Sequence, residues 1–127
     1  MSKQDLKQIT LSILFISILF IMFGLLKNLF SQPDNSAVLE ALRGKPFLVD
    51  VRTPGEFASG SVQGAVNIPL DEVASRLKEF KGKESIIVFC RSGNRSAQAK
   101  AILDRNGIPN VLNGGTWDQV AALKESL

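Results

Sequence analysis

Apolar and polar positions split the chain into two regimes. From Ile9 to Leu26 there are 18 residues without a charge. They are apolar on every face of a helix about 27 Å long, which suffices for the hydrocarbon core of a bilayer. A buried core helix is a poor reading, because all faces are apolar and the domain behind this stretch is too small to surround it. The rival is a cleavable signal peptide. However, the run exceeds the usual apolar region of such peptides, and Lys27-Asn28-Leu29-Phe30 lacks an Ala-x-Ala pattern. The expectation is an uncleaved anchor, residues 9–27, after an N-terminal tail, 1–8. The polar stretch Ser31-Gln32-Pro33-Asp34-Asn35 lies in the expected linker, 28–35, where Pro33 stops the helix.

Residues 36–127 alternate short apolar runs with helical periodicity. Ser36 caps a predicted helix, Ala37 to Leu42, that Gly44 ends. Phe47–Val51 and Ile86–Phe89 read as buried strands. Pro54 to Ser59 reads as one helical turn, with Thr53 before it. Val66–Ile68 is a short strand. Leu70, Val73, Ala74, Leu77 and Phe80 follow i, i+3, i+4, i+7, which predicts a helix from Pro69 to about Phe80. Ile108–Leu112 is a further strand, and Thr116 opens a last helix. Strands separated by helices predict an α/β sandwich with a mainly parallel sheet. Ligand sites in such sheets lie beyond the strands' carboxyl ends.

Composition narrows the chemistry. The 127 residues include no His, no Tyr and one Cys. That excludes Ser–His and Cys–His nucleophilic arrangements, His metal sites, multi-Cys metal sites and an intramolecular disulfide. No cofactor and no metal are implied. The formal charge is +3. Setting aside the region to Phe30, with three lysines and one aspartate, the domain stands near +1, giving no reason to expect nucleic acid. Lysines on both sides of the apolar stretch leave only a slight lean to a cytoplasmic N-terminus and an exported domain.

The one cysteine follows the strand Ile86–Phe89 and precedes a helix-forming run that closes at Asn106-Gly107. A lone cysteine is most often a packing residue. Here Cys90-Arg91-Ser92-Gly93-Asn94-Arg95-Ser96 reverses that reading, because packing needs neither the glycine nor the arginines. Free N–H groups at a helix start favour an anion, and Gly93 lets the loop fold into a nest of such groups. A thiol placed there is expected to be a low-pKa nucleophile. Arg95 either attracts an anionic donor or braces the loop through a carboxylate. Ser96 either donates a hydroxyl hydrogen bond or caps the helix, and the cap alone explains it.

The arrangement Cys90-x-x-Gly93-x-Arg95-Ser96 resembles the active-site loop of the rhodanese family of sulfurtransferases. The resemblance extends to Leu48-Val49-Asp50-Val51-Arg52 with Glu56-Phe57, to Gly60-Ser61-Val62-Gln63-Gly64-Ala65-Val66-Asn67-Ile68-Pro69, and to Asn113-Gly114-Gly115. It covers about residues 36 to 127. Where the family often has His, this chain has Ser61. The resemblance implies a three-layer rhodanese-like sandwich. It also implies a Cys90 persulfide that carries sulfane sulfur from thiosulfate or a persulfide donor to cyanide or a thiol acceptor, which need not be a small molecule. Arg91, Ser92, Gly93, Asn94, Arg95 and Ser96 would form the binding loop. Asp50 and Arg52 would be its structural support, Gly64, Gly114 and Gly115 turn or close-approach glycines, and Trp117 a core or rim aromatic. Three other readings are weighed against this one. A phosphatase or arsenate reductase would use a Cys-x5-Arg loop, but here the spacing is Cys-x4-Arg. The fold could also serve as a binding module at the membrane, or Cys90 could have a redox role, for which no resolving Cys is present.

Overall fold

The structure, a computed structural model, describes residues 1–31 and 35–127. The chain falls into two compact units, Met1–Gln32 and Pro33–Leu127. The centre of the expected linker, residues 32–34 with Pro33, lies outside the described residues.

The first unit is one helix, α1 (Lys3–Ser31). It begins at Lys3 rather than at Ile9, where the uncharged run starts, because Ser2 caps it: Ser2 Oγ accepts from Asp5 N–H at 3.2 Å, and Ser2 N–H donates to the Asp5 carboxylate at 3.3 Å. Its side chains are exposed through Leu26. Among the described residues it is the one helix long and apolar enough to cross a membrane, a property it shares with signal sequences.

The second unit runs α2 (Asn35–Arg43), β1 (Pro46–Asp50), α3 (Pro54–Ala58), β2 (Val66–Asn67), α4 (Leu70–Val73), a 3₁₀ turn (Leu77–Phe80), β3 (Ser85–Cys90), α5 (Asn94–Arg105), β4 (Val111–Thr116) and α6 (Trp117–Glu125). The four strands form one sheet in the order β2-β1-β3-β4, and every pairing is parallel. Period-2 alternation along β3 decides which face each side chain covers. Ile86, Val88 and Cys90 join Val49, Val73, Phe80, Ala99 and Leu103 in one core. Ile87 and Phe89 join Leu48, Val38, Leu42, Val62 and Val120 in the other. Helices therefore cover both faces, and the expected three-layer sandwich is the fold. β3 is buried on both sides, as its continuous apolar run required.

Two predicted elements are corrected. The helix expected from Pro69 to Phe80 divides into α4 and a 3₁₀ turn. Ser75 Oγ donates to the Glu72 carbonyl at 2.9 Å, Arg76 leaves helical geometry (φ −118°, ψ 30°), and N–H groups bond three residues back, Arg76 to Val73 and Glu79 to Arg76. The apolar spacing still does its work, because Val73 and Phe80 are buried. The strand expected at Ile108–Leu112 lies later. Gly107 (φ 74°) and Asn110 (φ 62°) are both left-handed, so the chain is still turning until Asn110.

Gly114 and Gly115, expected to mark a turn or close approach, lie inside β4. Val88 pairs with Asn113 and Phe89 with Gly115, so Gly114 is the extra residue of a bulge. A Cβ on Gly114 would stand 2.7 Å from Val120 Cγ2, 2.9 Å from Ile87 Cγ2 and 3.4 Å from the Val88 carbonyl oxygen. The bulge turns Asn113 toward the loop that follows β3.

Candidate active site

β3 is an interior strand, and its last residue is Cys90. The chain then turns through Arg91 and Ser92 to Gly93, whose φ of 93° places it in the left-handed region as the N-cap of α5. A residue with a Cβ would be strained there. The turn folds the start of α5 back over the sulfur. Gly93 N–H donates to Cys90 Sγ at 3.0 Å and Ser96 N–H at 3.4 Å, while Ser96 Oγ lies 3.4 Å away. Burial by itself pushes the Cys90 thiol up. The Ser96 hydroxyl, with the N–H groups of Ser96, Ser92 and Gly93, more than offsets burial and leaves the thiol below its ordinary value. The sequence expectation of an anion-favouring nest around this thiol matches that geometry.

The helix starts earlier than a cap at Ser96 would require, and this changes the part played by that residue. Gly93, not Ser96, is the cap. Ser96 is the third helical residue, fully buried, and its hydroxyl donates to the Gly93 carbonyl at 3.0 Å. Capping does not explain it. The rim of the loop is open: Arg91, Ser92 and Asn94 are exposed. Arg91 makes no ion pair among the described residues.

Arg95 engages a carboxylate. Its guanidinium meets both Glu56 carboxylate oxygens, at 2.7 and 3.0 Å, a bidentate geometry. Glu56 is also the third residue of α3, whose cap Thr53 it bonds in a reciprocal capping box. One carboxylate thus ties the cysteine loop to the loop after β1. Sequence reasoning quoted Glu56 without assigning it a role; its signal was the spacing Thr53-x-x-Glu56. Hydrogen bonds first from Arg95 and then from the Thr53 N–H hold Glu56 at about 2, against an ordinary 4.5. A carboxylate with a depressed folded pKa adds stability that is complete above its unfolded pKa and is lost as pH falls through the folded one. Glu56→Gln is therefore expected to lower the urea midpoint at about pH 6, and the gap to wild type is expected to close between 4.5 and about 2. A gap of constant size across that window would refute the pairing.

Asp50 and Arg52, expected as structural support, form a buried pair at the carboxyl end of β1. Arg52 Nε lies 3.0 Å from each Asp50 oxygen and its terminal nitrogen 2.7 Å from one of them, and the Arg52 N–H donates to the same carboxylate at 2.9 Å. Arg52 also donates to the Gly60 carbonyl at 2.6 Å, and its guanidinium stacks 5.0 Å from the Trp117 ring centre. Ser61, where the family often has His, donates to Asp50 at 2.7 Å. Asn67, which sequence reasoning left without a role, bridges the Asp50 and Arg52 carbonyls at 2.9 and 3.0 Å. These contacts fix the segment around Gly60 and the start of α6; none of them reaches Cys90. Asn113 is a third residue that sequence reasoning quoted without assigning it a role. Its Oδ1 accepts from Gly115 N–H at 3.0 Å and its Nδ2 donates to the Gly93 carbonyl at 3.5 Å. Beside Arg95 a groove of about 450 Å³ opens between Thr53, Leu70 and Ile102, and Cys90 does not line it. Among the described residues no three His, Cys, Asp or Glu side chains converge as a metal site.

Fold and site define a cysteine-based α/β domain whose thiol sits at the carboxyl end of a parallel sheet, under backbone donors that accept negative charge. The chain belongs to the rhodanese-like domain family, whose model matches residues 34–119. It is 41% identical over 66 residues to a sulfurtransferase of Allochromatium vinosum, covering 52% of this chain and 62% of that protein. It is 38% identical over 78 residues to the thiosulfate sulfurtransferase PspE of Escherichia coli, covering 60% of this chain and 75% of the relative. The chain thus spans less than two thirds of the first of these relatives. A solved rhodanese with anions from E. coli superposes with a TM-score of 0.56 at 37% identity, covering 60% of this chain and 92% of that one. The human single-domain sulfurtransferase TSTD1 superposes with a TM-score of 0.54 at 30% identity, covering 61% and 81%.

Proposed function

We propose that this chain is a sulfurtransferase that carries sulfane sulfur as a Cys90 persulfide, from thiosulfate or a persulfide donor to cyanide or a thiol. The observation that carries this reading is the set of polar groups on Cys90 Sγ: Gly93 N–H at 3.0 Å and Ser96 N–H at 3.4 Å donate to it, and the Ser96 hydroxyl lies 3.4 Å away. They stabilise a thiolate without a general base, which a chain lacking histidine requires. The thiolate attacks the outer sulfur of the donor, a new S–S bond forms, and the donor's own S–S bond breaks with sulfite leaving on the electron pair. The acceptor then attacks the outer sulfur and Cys90 leaves as thiolate. Arg91, exposed at the rim, is the cation that draws an anionic donor in. Cys90 has no exposed surface, so the donor enters as the rim residues Arg91, Ser92 and Asn94 yield. The bidentate Arg95–Glu56 pair disfavours the phosphatase reading, in which that arginine would face an oxyanion. We further propose that residues 9–27 anchor residues 36–127 through the linker at 28–35 to a cell membrane as a single span, with the domain on the exported face.

The test is the intact mass of the full chain in detergent after incubation with thiosulfate and desalting. A gain of one sulfur atom that cyanide removes is expected. No gain, from thiosulfate and from a small persulfide donor alike, would overturn the reading.

A further inference from the structure

Ser96 has one hydroxyl proton and two acceptors for it. Its Oγ lies 3.0 Å from the Gly93 carbonyl oxygen and 3.4 Å from Cys90 Sγ, and in the second contact either atom can donate. Ser96 is fully buried. The Gly93 carbonyl is supplied by two further donors, Ala97 N–H at 3.1 Å and Asn113 Nδ2 at 3.5 Å. A carbonyl oxygen has two lone pairs, so the hydroxyl is the donor it can lose without becoming an unsatisfied buried acceptor. A bond from the same hydroxyl to a negatively charged sulfur is about twice as strong as one to a neutral acceptor.

We propose that the Ser96 hydroxyl is a rotor with two settings. It donates to the Gly93 carbonyl while Cys90 is protonated and its S–H points at Ser96 Oγ; it donates to the sulfur once that proton has left, Asn113 then holding the Gly93 carbonyl in its place. The proposal rests on the reading of Cys90 as the sulfur-carrying nucleophile. As Cys90 attacks the donor, its lone pair becomes the new S–S bond, and the negative charge comes to rest on the outer sulfur as sulfite departs. The hydroxyl then returns to Gly93. When the acceptor takes the outer sulfur, Cys90 receives the pair of the breaking bond, and the hydroxyl swings back. Ser96 thus serves nucleophile and leaving group in turn, as a catalytic residue touching the reacting sulfur. Asn113 is a positioning residue acting through Gly93.

Because the chain has one Cys and no Tyr, the far-ultraviolet absorbance of the thiolate titrates Cys90 alone in the full chain. Ser96→Ala is expected to raise the titration midpoint by about one pH unit. Asn113→Ala, which leaves the Gly93 carbonyl more dependent on the hydroxyl, is expected to raise it by about half a unit, and to add nothing in the Ser96→Ala background. Ser96→Gly also lacks the hydroxyl and adds no atom, so it serves as the second variant, expected to match alanine; thermal unfolding verifies that each variant folds. An unchanged midpoint in folded Ser96→Ala or Ser96→Gly, or an Asn113→Ala shift of the same size in both backgrounds, would overturn the rotor. The titration uses no sulfur donor, so its outcome is independent of whether the mass experiment yields a persulfide.

Discussion

Cys90→Ser is expected to reduce sulfur transfer to the uncatalysed background while the domain stays folded. A serine hydroxyl stays protonated near neutral pH, and no residue in this chain is a histidine that could take its proton. The same groups would still surround the new hydroxyl, with Gly93 N–H and Ser96 N–H as donors to it and Ser96 Oγ within reach as its acceptor. The variant therefore buries no unsatisfied group. Its cost is set by placing a more polar atom beside Val88, Ala99 and Leu103 in the core, about 1–2 kcal/mol out of a total of about 5–15. Loss of activity would thus be chemical rather than structural. The measurement pairs initial transfer rates with the thermal unfolding midpoint of each protein. In the wild type, double-reciprocal plots at several acceptor concentrations are expected to be parallel, because the first product leaves before the acceptor binds. Transfer that survives in the folded serine variant would move the chemistry away from Cys90.

The parts of the site visible in the sequence were those written within a few residues. Ile86–Phe89 identified its strand by hydrophobic continuity, and Gly93 identified the turn by the freedom it lends the backbone. The thiol's place at the junction of strand and helix followed from those two. What the sequence could not supply were partners separated along the chain. Arg95 could attract a donor or brace the loop, and its engagement with Glu56, 39 positions earlier, is a tertiary fact. Ser96 looked like a cap because the helix was started too late. A shift of a few residues in a helix start, ordinary for boundaries read from sequence, changed a capping hydroxyl into one that touches the sulfur. Gly114 and Gly115 were expected at a turn or a close approach; they sit in a strand, and the close approach is the reading that holds at Gly114. Their backbone accommodates a bulge, and the lack of a side chain on Gly114 is required by Val120 and Ile87 from other elements.

Asp50→Ala is expected to destabilise the domain by about 3–5 kcal/mol, more than either Cys90→Ser or Glu56→Gln. The Asp50 side chain has no exposed area and that of Arg52 only 5%, so the guanidinium left behind could not rehydrate. It would keep the Gly60 carbonyl and the Trp117 face but lose every anionic contact. Ser61 would lose its acceptor as well. Against a total of about 5–15 kcal/mol, that loss brings the domain close to its unfolding threshold at ordinary temperature. Trp117 is the one tryptophan and stacks on Arg52, so its fluorescence during urea unfolding of the full chain in detergent reports both the pair and the fold. Asp50→Asn, which keeps an oxygen for the Arg52 N–H, is expected to cost less. Asp50→Leu combined with Arg52→Met removes both charges and is expected to recover part of the loss, because apolar residues of similar volume replace buried ion pairs at little or no cost. If Asp50→Ala and the double variant unfold at the same urea concentration, the penalty does not come from an uncompensated arginine, and the pair acts instead by shaping the Gly60–Ser61 segment. Either way the expected damage lies in the scaffold, and any domain that still folds is expected to keep the Cys90 cradle, since none of the contacts made by Asp50 reaches that sulfur.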